Sequence, residues 1–178
     1  MNLGLIWHGA FIDASMHWVG RGQGYQTPLG DHVMRLTKGQ PLAVLESPEE
    51  PWPAGSARDA GYAFRGYKLS TDGRPAFHYE WNGISAVDFV EPVAGDAFAS
   101  LSRTLQFTSD KPVSQLYFRV IAGDIERQDD AWVVDDAIHL AFEGAEPIIR
   151  ETGGQRELIV PVPFDAAGVA TFRYAMEW

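Results

Sequence analysis

The run Trp7-His8-Gly9-Ala10-Phe11-Ile12-Asp13-Ala14-Ser15-Met16-His17-Trp18-Val19-Gly20-Arg21-Gly22-Gln23-Gly24-Tyr25 gathers most of the chain's unusual side chains. The flat faces of Trp7, Trp18 and Tyr25 suit stacking on sugars or other rings. Glycines at 20, 22 and 24 let backbone amides approach a ligand. Arg21 offers a planar fork for a carboxylate, a phosphate or vicinal hydroxyls, with Gln23 as a further donor and acceptor and Asp13 placed to orient the guanidinium. A structural reading stands beside this one, in which the tryptophans fill the core and Arg21 with Asp13 is a buried pair.

His8, His17 and Asp13 are also ordinary ligands for zinc, iron, copper or manganese, which would make the chain a metal-dependent enzyme acting on sugars or oxygen. The spacing is unfavourable. A strand from Leu5 to Asp13 sends His8 and Asp13 to opposite faces unless Gly9 bends it, and neither His-x-His nor His-Glu-x-x-His occurs. His8 or His17 as axial ligand of a non-covalent haem has no pocket pattern to support it. Ser15 near His17 lacks a nucleophile elbow. The Gly20–Gly24 loop lacks the strand-loop-helix context of a dinucleotide site.

Composition narrows the field further. A formal net charge of −10 opposes the phosphate contacts that nucleic-acid binding requires and disfavours an anionic membrane surface. No apolar stretch approaches the roughly 18 residues of a membrane span. With no cysteine there is no disulfide and no covalently attached haem. The acidic run Asp124, Glu126, Asp129, Asp130, Asp135 and Asp136 could hold calcium or a basic partner, but it lacks the EF-hand pattern and reads better as two solvated turns. Arg103 shares a strand face with Leu101, Leu105 and Phe107, so it must be paired or open into a pocket. His78 lies opposite the Phe77, Tyr79, Trp81 face.

The elements that position these residues are strands. Phe77, Tyr79 and Trp81 alternate on one face, and Asn82-Gly83 then leads into Ile84–Val90, the pattern of a two-residue type I′ hairpin. A second hairpin is expected at Gly153-Gly154, between Ile148–Thr152 and Glu157–Val162. Thr171–Trp178 buries Phe172, Tyr174, Met176 and Trp178 on one side. Further strands are expected in Ala97–Thr108, Val113–Ala122, Ala131–Val134 and Ala137–Glu143. With no amphipathic helix of three turns, the fold class is all-β, an antiparallel β-sandwich or jelly-roll-like domain over residues 1–178. Its first 61 residues open on the strand-like Leu3–Trp7 and then form a long irregular N-terminal loop region, dense in Gly and Pro from Gly20 to Gly61, in which Asp31–Thr37 alone favours a short helix.

Gly9-Ala10-Phe11-Ile12-Asp13, Trp18-Val19-Gly20-Arg21-Gly22, Phe64-Arg65-Gly66-Tyr67-Lys68-Leu69 and Gly73-Arg74-Pro75-Ala76-Phe77-His78-Tyr79 together resemble a β-sandwich region of large secreted bacterial proteins. Those proteins resemble membrane-bound dehydrogenases in which such a region accompanies c-type cytochrome domains and a sugar-dehydrogenase-like β-propeller. The resemblance implies a periplasmic or secreted setting and a domain taken from a longer multidomain protein. It also implies a redox or carbohydrate context with a c-type cytochrome or dehydrogenase domain as partner. It carries no catalytic residue. The leading expectation is thus a non-catalytic module that binds a carbohydrate, another small neutral ligand or a cytochrome-like partner through Trp7, Asp13, Trp18, Arg21, Gln23 and Tyr25. A purely structural spacer is the third reading.

Overall fold

The computed structural model describes residues 1–15, 26–95 and 99–178. Three short strands, β1 (Leu5–His8), β2 (Asp31–Arg35) and β3 (Leu42–Val44), precede the hairpin β4 (Ala63–Leu69) and β5 (Pro75–Trp81). The long strands β6 (Ile84–Val93) and β7 (Ser100–Ser109) follow, then β8 (Leu116–Ala122), β9 (Ile125–Gln128), β10 (Ala131–Val134) and β11 (Ile138–Glu143). The chain closes with β12 (Ile148–Thr152), β13 (Gln155–Pro161) and β14 (Val169–Glu177).

Both glycine-bearing hairpins form as the turn chemistry requires. Asn82 and Gly83 take φ of 47° and 78°, and Gly153 and Gly154 take 62° and 79°, the doubly left-handed geometry that matches strand twist. Of the acidic run, Glu126 lies in β9 and the rest lie in exposed turns, with Asp129 between β9 and β10 and Asp135–Asp136 between β10 and β11, these three at positive φ.

The Asp31–Thr37 helix does not form. Asp31–Arg35 pairs antiparallel with β1 instead, in the register Leu5↔Arg35 and Ile6↔Met34, then slips so that His8 meets Asp31. Trp7 therefore faces two residues of β2, and His32 absorbs the bulge at φ 50°. A stretch this short gains more from ladder hydrogen bonds and from packing Met34 on the core than from one helical turn. The described part of the irregular N-terminal region accordingly contains three strands.

An eight-stranded antiparallel sheet, ordered β4-β5-β6-β7-β14-β11-β10-β9, packs on a four-stranded sheet ordered β12-β13-β8-β3. Phe118 from the small sheet lies 6.2 Å from Phe107 and 5.7 Å from Phe172 of the large one, in the middle of the core. Leu42, Leu116, Leu158 and Val160 meet Leu105, Leu140 and Met176 in the same cluster.

The small sheet also buries its outer face. Trp52 covers Ala43, Leu45 and Ile159, and its indole donates to the Gln40 carbonyl at 2.9 Å. Two guanidiniums, Arg119 and Arg150, lie 5.3 and 5.4 Å from its ring, and both bind Glu157. Arg150 also donates to the carbonyls of Pro48 and Glu50, each at 2.6 Å, which pins the proline-rich loop over this face.

The two sheets differ in width. At roughly 4.8 Å per strand, four strands cannot cover eight. The consequence is visible in the register. Residues directly opposite in adjacent strands share a face, and one such row runs Ala170↔Phe107↔Ala86↔Tyr79↔Phe64. The next runs Phe172↔Leu105↔Asp88↔Phe77↔Tyr67. Both rows begin in the core and end beyond the small sheet.

Candidate functional site

Those row ends form an uncovered aromatic face on the β4–β5 hairpin. Phe64 is 58% and Tyr67 60% exposed, Leu69 is exposed beside them, and Phe77 and Tyr79 are half-buried behind them. The rings form a connected set, with Phe64 5.6 Å from Tyr79 and 6.3 Å from Phe77, and Tyr67 6.2 Å from Phe77. Contiguous exposed apolar surface of this kind marks an interaction site more often than scattered single residues do.

The edge beside this face is guarded. β4 carries a bulge between Phe64 and Gly66, where Gly66 takes φ 106° and Arg65 turns to bind Glu80 at 2.8 Å. With Lys68 further along the strand, these are devices that discourage edge-to-edge pairing. It is the face of the hairpin that is open to a partner.

Where the edge of the small sheet ends above β5, a cleft of about 180 Å³ opens. Tyr62, Phe64 and Tyr79 line it together with Met1, Asn2, Pro41, Ala57 and the exposed Arg58. Tyr62 joins the two sheets. Its ring stacks on Trp81 at 5.0 Å and 5°, while its hydroxyl donates to Leu42 O at 2.6 Å and accepts from Leu42 N at 3.2 Å. Burial pushes the Tyr62 hydroxyl well above its ordinary pKa. Burial does the same to Tyr79, helped by the nearby Asp88 charge.

Beside the aromatic face, on the same side of the large sheet and under the small one, lies Arg103, 2% exposed and paired as its place among core residues demands. The guanidinium donates to both oxygens of Asp88, at 2.8 and 2.7 Å, and to the Tyr174 hydroxyl at 2.8 Å, and it also bonds the Met1 carbonyl. It sits 5.5 Å from the Phe118 ring, at the junction of the sheets. The β6–β7 ladder is unbroken through Arg103, so no bulge rotates it outward.

The N-terminal candidates fall differently. Trp18, Arg21, Gln23, Tyr25 and His17 lie outside the described residues. Trp7 is half-buried, donates to Ala10 O at 2.9 Å and stacks on the exposed Phe11 at 5.9 Å, so it is not a core tryptophan. Asp13 is fully exposed, which removes the buried-pair reading for it. The Ser15 side chain and then its backbone hold the Asp13 carboxyl below its ordinary pKa. His8 ends β1 stacked on Trp178 at 4.2 Å, with His32 edge-on at 5.7 Å. Among the described residues, no three His, Asp or Glu side chains converge to hold a metal ion.

The sequence reading placed Phe77 and Tyr79 on one face but missed Phe64, Tyr67 and Leu69 as site residues. The available signal was their spacing around Gly66, an apolar series with one extra residue. No protein-family model, curated protein or solved structure matches this chain. No helix among the described residues is long and apolar enough to cross a membrane.

Proposed function

We propose that this chain is a non-catalytic binding module whose aromatic β4–β5 face takes a carbohydrate or a similar neutral, ring-bearing ligand. One observation carries the reading: the register rows that fill the core continue, as aromatic residues, past the edge of the covering sheet. Aromatic side chains pack against the C–H faces of sugar rings and give large contact area for few frozen torsions. A net charge of −10 disfavours polyanionic ligands and leaves neutral ones unopposed. The stacked pair of half-buried Trp7 and exposed Phe11 supplies a second aromatic contact surface. A periplasmic or secreted setting beside a c-type cytochrome or dehydrogenase domain belongs to the same proposal and rests on the motif resemblance.

The test is calorimetric titration with a panel of neutral oligosaccharides. At least one is expected to bind saturably, and Tyr67→Ala with Phe64→Ala to weaken it by about tenfold together. Tyr67 is exposed, so Tyr67→Ala alone should change unfolding free energy by less than about 0.5 kcal/mol. If no oligosaccharide binds, or the double variant binds as the parent does, the reading is wrong.

A further inference from the structure

The cleft beside the aromatic face has a chemistry of its own. From it we infer a second ligand site, sharing Phe64 and Tyr79 with that face, for a quaternary ammonium that also bears an anionic group, a zwitterion of the glycine betaine kind. The trimethylammonium head enters between Tyr62, Phe64 and Tyr79, and the anionic end meets Arg58. This goes beyond the carbohydrate reading and does not depend on it.

Three observations carry the inference. First, the walls are rings that meet at an angle. Phe64 and Tyr79 are inclined by 52°, making a corner that touches a near-spherical group from two sides, and Tyr62 closes it. Cations without hydrogen-bond donors are held by ring faces in this way. At about 180 Å³ the cleft is far smaller than a typical cofactor pocket and suits one compact head group.

Second, the interior offers little to a ligand that needs hydrogen bonds. Both hydrogen-bonding directions of the Tyr62 hydroxyl are used by Leu42, the Asn2 amide nitrogen donates to the Gly39 carbonyl, and Pro41 and Ala57 have no polar side-chain atoms. Met1 also lines the cleft, and burial pushes the pKa of its amino group down to about 6, so at neutral pH it is mostly uncharged and does not repel a bound cation. A primary ammonium would bury three N–H donors there with too few acceptors, and a sugar would strand its hydroxyls. A quaternary ammonium has no N–H to satisfy.

Third, the charges fit both ends. The acidic chain raises the local concentration of cations. Arg58 is exposed at the rim and forms no ion pair with any described residue, so its fork is open to a carboxylate.

The experiment compares three probes on the full chain by NMR or calorimetric titration. They are glycine betaine, its uncharged-carbon isostere 3,3-dimethylbutanoate, and tetramethylammonium. Glycine betaine is expected to bind saturably and at least about tenfold more tightly than 3,3-dimethylbutanoate, because only the cation gains from the ring faces. Tyr79→Leu should weaken glycine betaine by about tenfold. Arg58→Gln, a surface change that leaves folding intact, should weaken it about fivefold while leaving tetramethylammonium within about twofold. Equal affinity for 3,3-dimethylbutanoate would overturn the cation assignment, and no saturable binding of glycine betaine would overturn the site. Tyr67→Ala separates the two proposals, since it should weaken oligosaccharide binding about threefold and leave glycine betaine untouched.

Discussion

Asp88→Ala is expected to lower the unfolding free energy by about 3–5 kcal/mol, the usual cost of leaving a buried charge without its partner. Arg103 would keep the Tyr174 hydroxyl and the Met1 carbonyl as acceptors, but neither carries the compensating charge. Burial already pushes the Tyr174 hydroxyl above its ordinary pKa, so that group stays neutral beside the stranded guanidinium. Urea unfolding of Asp88→Ala and of the double variant Asp88→Leu with Arg103→Met checks the cause. If charge imbalance is responsible, the double variant recovers most of the loss, because an apolar pair of similar volume suits the site. A double variant as unstable as Asp88→Ala would assign the loss to packing instead. The same pair bonds Met1 beside the cleft, so its disruption should also loosen the cleft wall.

Glu157→Leu should be of similar size, again about 3–5 kcal/mol, for a reason on the other side of the small sheet. One carboxylate there serves two cations. It accepts from Arg119 at 2.7 Å on one oxygen and from Arg150 at 2.9 Å on the other. With Glu157 gone, Arg150 is left almost fully buried and facing only carbonyls and the Trp52 ring. The loop from Pro48 to Ala54 is expected to detach with it, which limited proteolysis would detect as new cleavage in that stretch. Unchanged stability and unchanged proteolysis would mean that Trp52 alone holds the loop.

What could be read from the sequence divides along the range of the interactions involved. Asn82-Gly83 and Gly153-Gly154 were legible because a type I′ turn is a local demand on φ, and the alternation of Phe172, Tyr174 and Met176 was legible because strand period is local too. That Arg103 must be paired followed from its neighbours on β7, but its partner Asp88 is set by β6–β7 register. The helix expected at Asp31–Thr37 failed because pairing with β1 outweighed local propensity. The clasp of Trp52 by Arg119 and Arg150 joins three distant parts of the chain, and no periodicity announces it.

The site was illegible for a related reason. Whether Phe64 and Tyr67 are core or surface depends on how far the opposing sheet extends, and β3, its three-residue edge strand, sits in a segment with weak strand signals. The sequence reading therefore looked to the glycine-rich stretch around Arg21, where residue types are conspicuous, and passed over an aromatic face whose significance is a matter of width.

The central claim is that this face binds a ligand, and amide shift mapping tests it most directly. Titrating ¹⁵N-labelled protein with the tightest oligosaccharide of the panel should move the amides of Ala63–Leu69 and Ala76–Tyr79 saturably. The amides of β9 and β10, at the far edge of the same sheet, should stay in place. Shifts confined to other surfaces, or no saturable shift with any sugar, would contradict the account.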